Sequence, residues 1–91
     1  MAINADLIAS LMTAVRVKSE TAKDELTDLA EACLCDLRLS GIEADDLKDP
    51  LVRQAVKLYC KANYGYDTDT EKYKEGYQAL KIAMALSGEY S

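Results

Sequence analysis

Residues 49–66 read D-P-L-V-R-Q-A-V-K-L-Y-C-K-A-N-Y-G-Y. Asp49 followed by Pro50 forms a helix start: the carboxylate accepts from free first-turn N–H groups, and proline loses nothing at the first helical position. Gly65, after Asn63 and Tyr64, can take the left-handed conformation that stops a helix. Between these signals Leu51, Ala55, Leu58, Tyr59 and Ala62 share one face at helical spacing, and Val52 and Val56 widen it. Arg53, Lys57 and Lys61 recur at i, i+4 and i+8 on the opposite face. The stretch therefore predicts a helix over 50–64 with an apolar side, a basic side and an aromatic exit at Tyr64 and Tyr66.

On the N-terminal side the same reasoning predicts two more helices. Asn4 or Asp6 can cap a helix over 5–16, in which Leu7, Ile8, Leu11, Met12 and Val15 share a face. Val17 to Thr21 is a polar connection in which Ser19 and Thr21 are candidate caps. The next helix, over 22–40, carries Leu26, Leu29, Ala30, Cys33 and Leu37 as its apolar stripe, with Asp24, Asp28 and Glu31 on the other side. Ser40-Gly41 ends it, and an acidic linker follows in which Ile42 and Leu47 are placed to reach the core. After residue 66 a fourth helix is expected over 69–87, with Tyr73, Tyr77, Leu80 and Met84 as its main stripe. Ala79, Ile82, Ala83 and Leu86 form a second apolar strip on that helix, turned away from the first. A helix apolar on two sides meets two neighbours, and in so small a bundle the second can be another chain.

The expected fold is thus all-α, a bundle of about four helices with short loops in one domain over 1–91. The totals agree. A chain of 91 residues buries roughly 60–65% of its unfolded surface, near the lower limit for folding alone. Four Gly and one Pro supply little turn material for an all-β fold. There is no low-complexity segment and no internal repeat.

Composition removes several function classes. The absence of His takes away the commonest general base and metal ligand. No phosphate-binding loop, dinucleotide glycine pattern, nucleophile elbow or H-E-x-x-H occurs. Asp67, Asp69 and Glu71 resemble the start of a calcium loop, but the required glycine is Lys72 and the closing glutamate is Gln78. Asp45, Asp46 and Asp49 are best explained as a solvated linker and a helix cap. Three cysteines without a C-x-x-C pair predict reduced thiols: Cys33 in the core, and Cys35 on the acidic face as an exposed neutral thiol. No catalytic residue, cofactor or metal is expected, and no signal peptide or membrane span.

Charge is unevenly placed. Residues 1–49 hold 5 basic and 11 acidic side chains, net −6, and residues 50–91 hold 6 and 5, net +1, for the total of −5. So acidic a chain is a poor general binder of nucleic acid, because that affinity comes mainly from neutralising phosphates. The stripe Arg53, Lys57, Lys61 is compatible with a solvated face, a phosphate track or a partner face. For the last, Asp24, Asp28 and Glu31 offer matching spacing, and an acidic face of one subunit against a basic face of the next is a head-to-tail contact.

From Leu51 the sequence is also familiar as a whole. The runs L-V-R-Q-A-V-K-L-Y-C-K-A-N-Y-G, D-T-D-T-E-K-Y-K-E-G-Y-Q-A-L-K and A-L-S-G-E-Y resemble the head–tail connector family of tailed bacteriophages, and D-E-L-T-D-L-A-E-A-C is similar to its second helix. That resemblance implies a non-enzymatic helical subunit of the virion neck, made in the host cytoplasm. It implies a ring of about a dozen copies beneath the portal protein, which extends the DNA channel and offers a platform to the next neck or tail protein. DNA would pass without specific binding, and no membrane is involved. Asp24, Asp28, Glu31, Arg53, Lys57, Lys61, Tyr64, Tyr66, Ile82 and Leu86 are the expected subunit or partner contacts. A competing reading is a small acidic helical adaptor that binds a single partner protein.

Overall fold

The computed structural model describes residues 5–15, 20–44, 46–64 and 69–90, apart from the side chain of Glu20. Four helices follow in chain order: α1 Ala5–Val15, α2 Glu20–Leu39, α3 Pro50–Tyr64 and α4 Thr70–Ser87. No strand occurs among the described residues. The expected cap at Asn4, the end of the first helix at Arg16, the cap at Ser19, the linker residue Asp45, the Gly65–Tyr66 exit and Asp67 lie outside the described residues.

The third helix is the hub, since it packs against each of the other three. Asp49 starts it as the sequence predicts: one carboxylate oxygen accepts from the Leu51 N–H at 2.8 Å and from the Val52 N–H at 3.4 Å. Its buried side chains are Val52, Ala55, Val56, Cys60 and Ala62, with Leu58 and Tyr59 half-buried. The apolar face is therefore turned from the expected one. Leu51 is 43% exposed, and Cys60 is fully covered. A helix with three neighbours must bury a wide arc, and Leu51 stands in the first turn, at the end of the bundle.

Helix α2 begins two residues earlier than expected, so Thr21 lies inside it and Ala22 adds a turn to the stripe. Ala22, Leu26, Ala30, Cys33, Leu34 and Leu37 are buried. The helix ends in a Schellman motif: Ile42 N–H donates to the Leu37 carbonyl at 2.9 Å and Gly41 N–H to that of Arg38 at 3.0 Å. That geometry needs the left-handed φ of +81° at Gly41, which glycine adopts without steric cost. The motif turns Ile42 straight into the core, where it is 1% exposed; Leu47 is half-buried beside it.

The linker is held from the other end of the chain. Gly88, at φ +79°, ends α4. Tyr90 then returns to the linker: its carbonyl accepts from the Glu43 N–H, and its hydroxyl donates to the Asp49 carboxylate at 3.0 Å. One carboxylate thus both caps α3 and anchors the C-terminal turn. Helices α2 and α4 run the same way and α3 runs against both. Asp36 meets Tyr77 and Lys81, while Tyr59 meets Tyr77 and Lys61 meets Tyr73. The C-terminus of α2, the N-terminus of α3 and the C-terminus of α4 consequently share one end of the bundle.

Candidate interaction surfaces

The acidic face of α2 is a solvent surface. Asp24, Asp28 and Glu31 are all exposed, opposite Leu26, Ala30 and Cys33, and no salt bridge reaches them among the described residues. Like charges at i, i+4 and i, i+3 cost a helix about 0.2–0.5 kcal/mol per pair, so this face is not there to stabilise the helix.

The basic side chains of α3 are less open than helical spacing alone suggests, because α3 is covered on three sides. Arg53 donates from Nη2 to Ser10 Oγ on α1 at 2.9 Å. Beside it Lys57 lines an open groove of about 530 Å³ between α1 and α3, with Asp6, Ser10 and Thr13. Lys61 turns to α4, its Nζ 5.2 Å from the centre of the Tyr73 ring, in cation–π range. The stripe is therefore divided: Arg53 and Lys57 belong to the α1 groove, Lys61 to the α3–α4 joint. Tyr64 is half-buried and packs against the core.

On α4 the second apolar strip faces outward. Ile82 is 58% and Leu86 82% exposed, and Ala79 and Ala83 are exposed with them. Two further large apolar side chains are exposed: Leu39, at 88%, which the sequence reading did not single out, and Leu51, which it placed on the apolar face of α3. Leu39 sits two residues past Leu37, about 200° around α2, and that offset is the signal that places it off the core stripe.

Between α2 and α4 lies a polar joint. Tyr77 is buried and its hydroxyl donates to Asp36 Oδ2 at 2.6 Å, while Lys81 Nζ donates to the same oxygen at 3.1 Å. The Cys33 thiol points at the Tyr77 oxygen from 3.7 Å, and the Tyr59 ring meets that of Tyr77 edge-on at 5.2 Å. The Tyr77 hydrogen bond, then Lys81, hold the Asp36 carboxyl below its ordinary range. Burial, then the bond to Asp36, pushes the Tyr77 hydroxyl up. Burial likewise pushes the Cys33 and Cys60 thiols up to about 12. Thiols held neutral in this way are structural and unreactive. Among the described residues no three metal-type ligands converge.

What emerges is a set of exposed faces around a closed core. A family model described as phage connector protein matches residues 8–91. The chain belongs to the phage connector family. No curated protein and no solved structure matches it. As a head–tail connector protein it has a structural role in a tailed phage and interacts with other head or tail proteins. Among the described residues no helix is long and apolar enough to cross a membrane.

Proposed function

We propose that this connector is a one-domain, non-enzymatic subunit of a ring in the virion neck. The ring docks beneath the portal, extends the DNA channel and carries the next neck or tail protein. The observation that carries the reading is the separation of charge on different surfaces. Asp24, Asp28 and Glu31 stand exposed on α2, while Arg53 and Lys57 line the α1–α3 groove. A face and its complement at different places on one subunit give a heterologous contact, the kind that closes into a ring. Charge pairs at such an interface set register and partner choice more than affinity. With net −5, a ring of these subunits repels DNA and lets it pass.

The test is a charge reversal and its compensation. Lys57→Glu is expected to block ring formation, alone or on the cognate portal, while the monomer stays helical. Asp28→Lys in the same chain should restore assembly if these two faces meet. Rings that form normally with Lys57→Glu, seen by electron microscopy and sedimentation, would remove this contact from the reading.

A further inference from the structure

The open groove between α1 and α3 carries charges of both signs. Arg53 is fastened to the middle of its α1 wall, where Nη2 donates to Ser10 Oγ at 2.9 Å, and Lys57 lines it one turn further along α3. Asp6 lines it as well, one turn of α1 before Ser10, at the end of that wall. No ion pair joins Asp6 to either cation among the described residues, and Lys57 has no ionic partner there. The wall between is low: Ala9 is exposed and Ala14 half-buried, so the groove of about 530 Å³ is open from the side. On α2 the line of Asp24, Asp28 and Glu31 is continued by Arg38, two turns beyond Glu31 and about 10 Å along the axis. All four are exposed and lie within about 80° of one another around the helix. None of them enters an ion pair among the described residues. The strip thus has its cation at one end, and the groove has its carboxylate at one end.

These two surfaces cannot meet within one subunit, because the side of α2 opposite the strip, with Leu26, Ala30 and Cys33, is buried in the core. We infer that α2 of a second copy lies in the α1–α3 groove, with Arg38 on Asp6 and with Asp28 and Glu31 on Arg53 and Lys57. The inference rests on the charged-face contact of the ring reading, and adds to it a direction and a part for α1. Charge complementarity names the occupant: the groove presents two cations and one carboxylate, the strip three carboxylates and one cation. Turned end for end, the helix would set a carboxylate against Asp6 and bring Arg38 toward Lys57. Like-charge contacts of that kind suppress the wrong orientation. One direction repeated from subunit to subunit is what a closed ring requires. Nucleic acid fits the groove less well, since Asp6 repels phosphate and the chain is net −5. Ser10 is a positioning residue in this contact, because its hydroxyl holds the guanidinium that receives the neighbour's carboxylate.

The experiment reverses the outer pair in the whole chain. Asp6→Arg and Arg38→Asp, each alone, should weaken self-association about tenfold or more, because each sets like charges in contact. Together in one chain they should restore it, since every subunit supplies both surfaces. Sedimentation velocity reads the free chain, and electron microscopy reads rings formed on the cognate portal. Both positions are exposed, so every variant should keep its helical circular dichroism. Ala9→Trp, also at an exposed position, fills the groove without touching a charge and should block assembly as well. Single variants that assemble like wild type, a double variant no better than the singles, or normal rings with Ala9→Trp would overturn the docking. Assembly stopped by Lys57→Glu but indifferent to the Asp6 and Arg38 reversals would overturn this pairing and leave the ring reading standing. A wild-type chain that assembles neither alone nor on the portal would overturn both.

Discussion

Tyr77→Phe tests the joint between α2 and α4 with the smallest perturbation that reaches it. The ring stays, so the edge-on contact with Tyr59 and the burial of Tyr77 are retained. Only the hydroxyl leaves, and with it the 2.6 Å bond to Asp36 and the weak acceptor of the Cys33 thiol. Hydrogen bonds to charged groups contribute about 1.5–3 kcal/mol. Asp36 keeps Lys81, and its side chain is 36% exposed, so water replaces the lost donor. The low end applies, about 1.5–2 kcal/mol. For a domain of this size that lowers Tm by about 4–8 °C per kcal/mol. Urea unfolding at pH 7 should show a lower midpoint at unchanged m, because the surface exposed on unfolding is the same. The pH dependence gives a second reading. Because the folded-state pKa of Asp36 is lowered, its stabilisation is present above the unfolded value, about 3.9. It is lost as pH falls through the folded value. The difference between wild type and Tyr77→Phe should therefore shrink in acid, and the Asp36 carboxyl should titrate at higher pH in the variant. A loss below about 0.5 kcal/mol, the low bound for an ordinary hydrogen bond, together with an unmoved Asp36 titration, would refute the reasoning.

Two further outcomes follow from packing and capping. Leu37→Ala, at a side chain with no exposure, should cost about 2–5 kcal/mol in urea unfolding; a smaller loss would mean that the α2 stripe does not anchor the core. Leu58, only half-buried, should cost less than Leu37 under the same change. Asp49→Ala removes the α3 cap, worth about 0.5–2 kcal/mol, and also frees the Tyr90 hydroxyl. Amide exchange should then quicken both in the first turn of α3 and at Glu43, where the Tyr90 carbonyl holds the N–H. Faster exchange in α3 alone would show that the C-terminal turn holds without Asp49.

The ends and faces of the helices were legible because they depend on neighbours in the chain. Asp49-Pro50 starts a helix through its own carboxylate and its own missing N–H, and Ser40-Gly41 ends one through the only residue that takes positive φ freely. The i, i+3, i+4 stripe of α2 needs nothing beyond the helical repeat. The candidate contacts were less evenly legible. Asp24, Asp28 and Glu31 stand where helical spacing puts them, and so do Ile82 and Leu86. Arg53 and Lys61 do not remain a simple solvent stripe, because Ser10 and Tyr73 come to meet them from helices 43 and 12 residues away in the chain.

What the sequence by itself determined is local: four amphipathic helices, the stops of α2 and α4, and the inward stripe of α2 at Leu26, Ala30, Cys33 and Leu37. Only the tertiary structure decided how wide an arc each helix buries, since that depends on how many neighbours it has. With three neighbours, α3 covers Cys60 and leaves Leu51 at the edge. The same packing joins α4 to α2 through the side chains of Tyr77 and Lys81, which meet on Asp36. Four large apolar side chains, Leu39, Leu51, Ile82 and Leu86, are left outside those arcs.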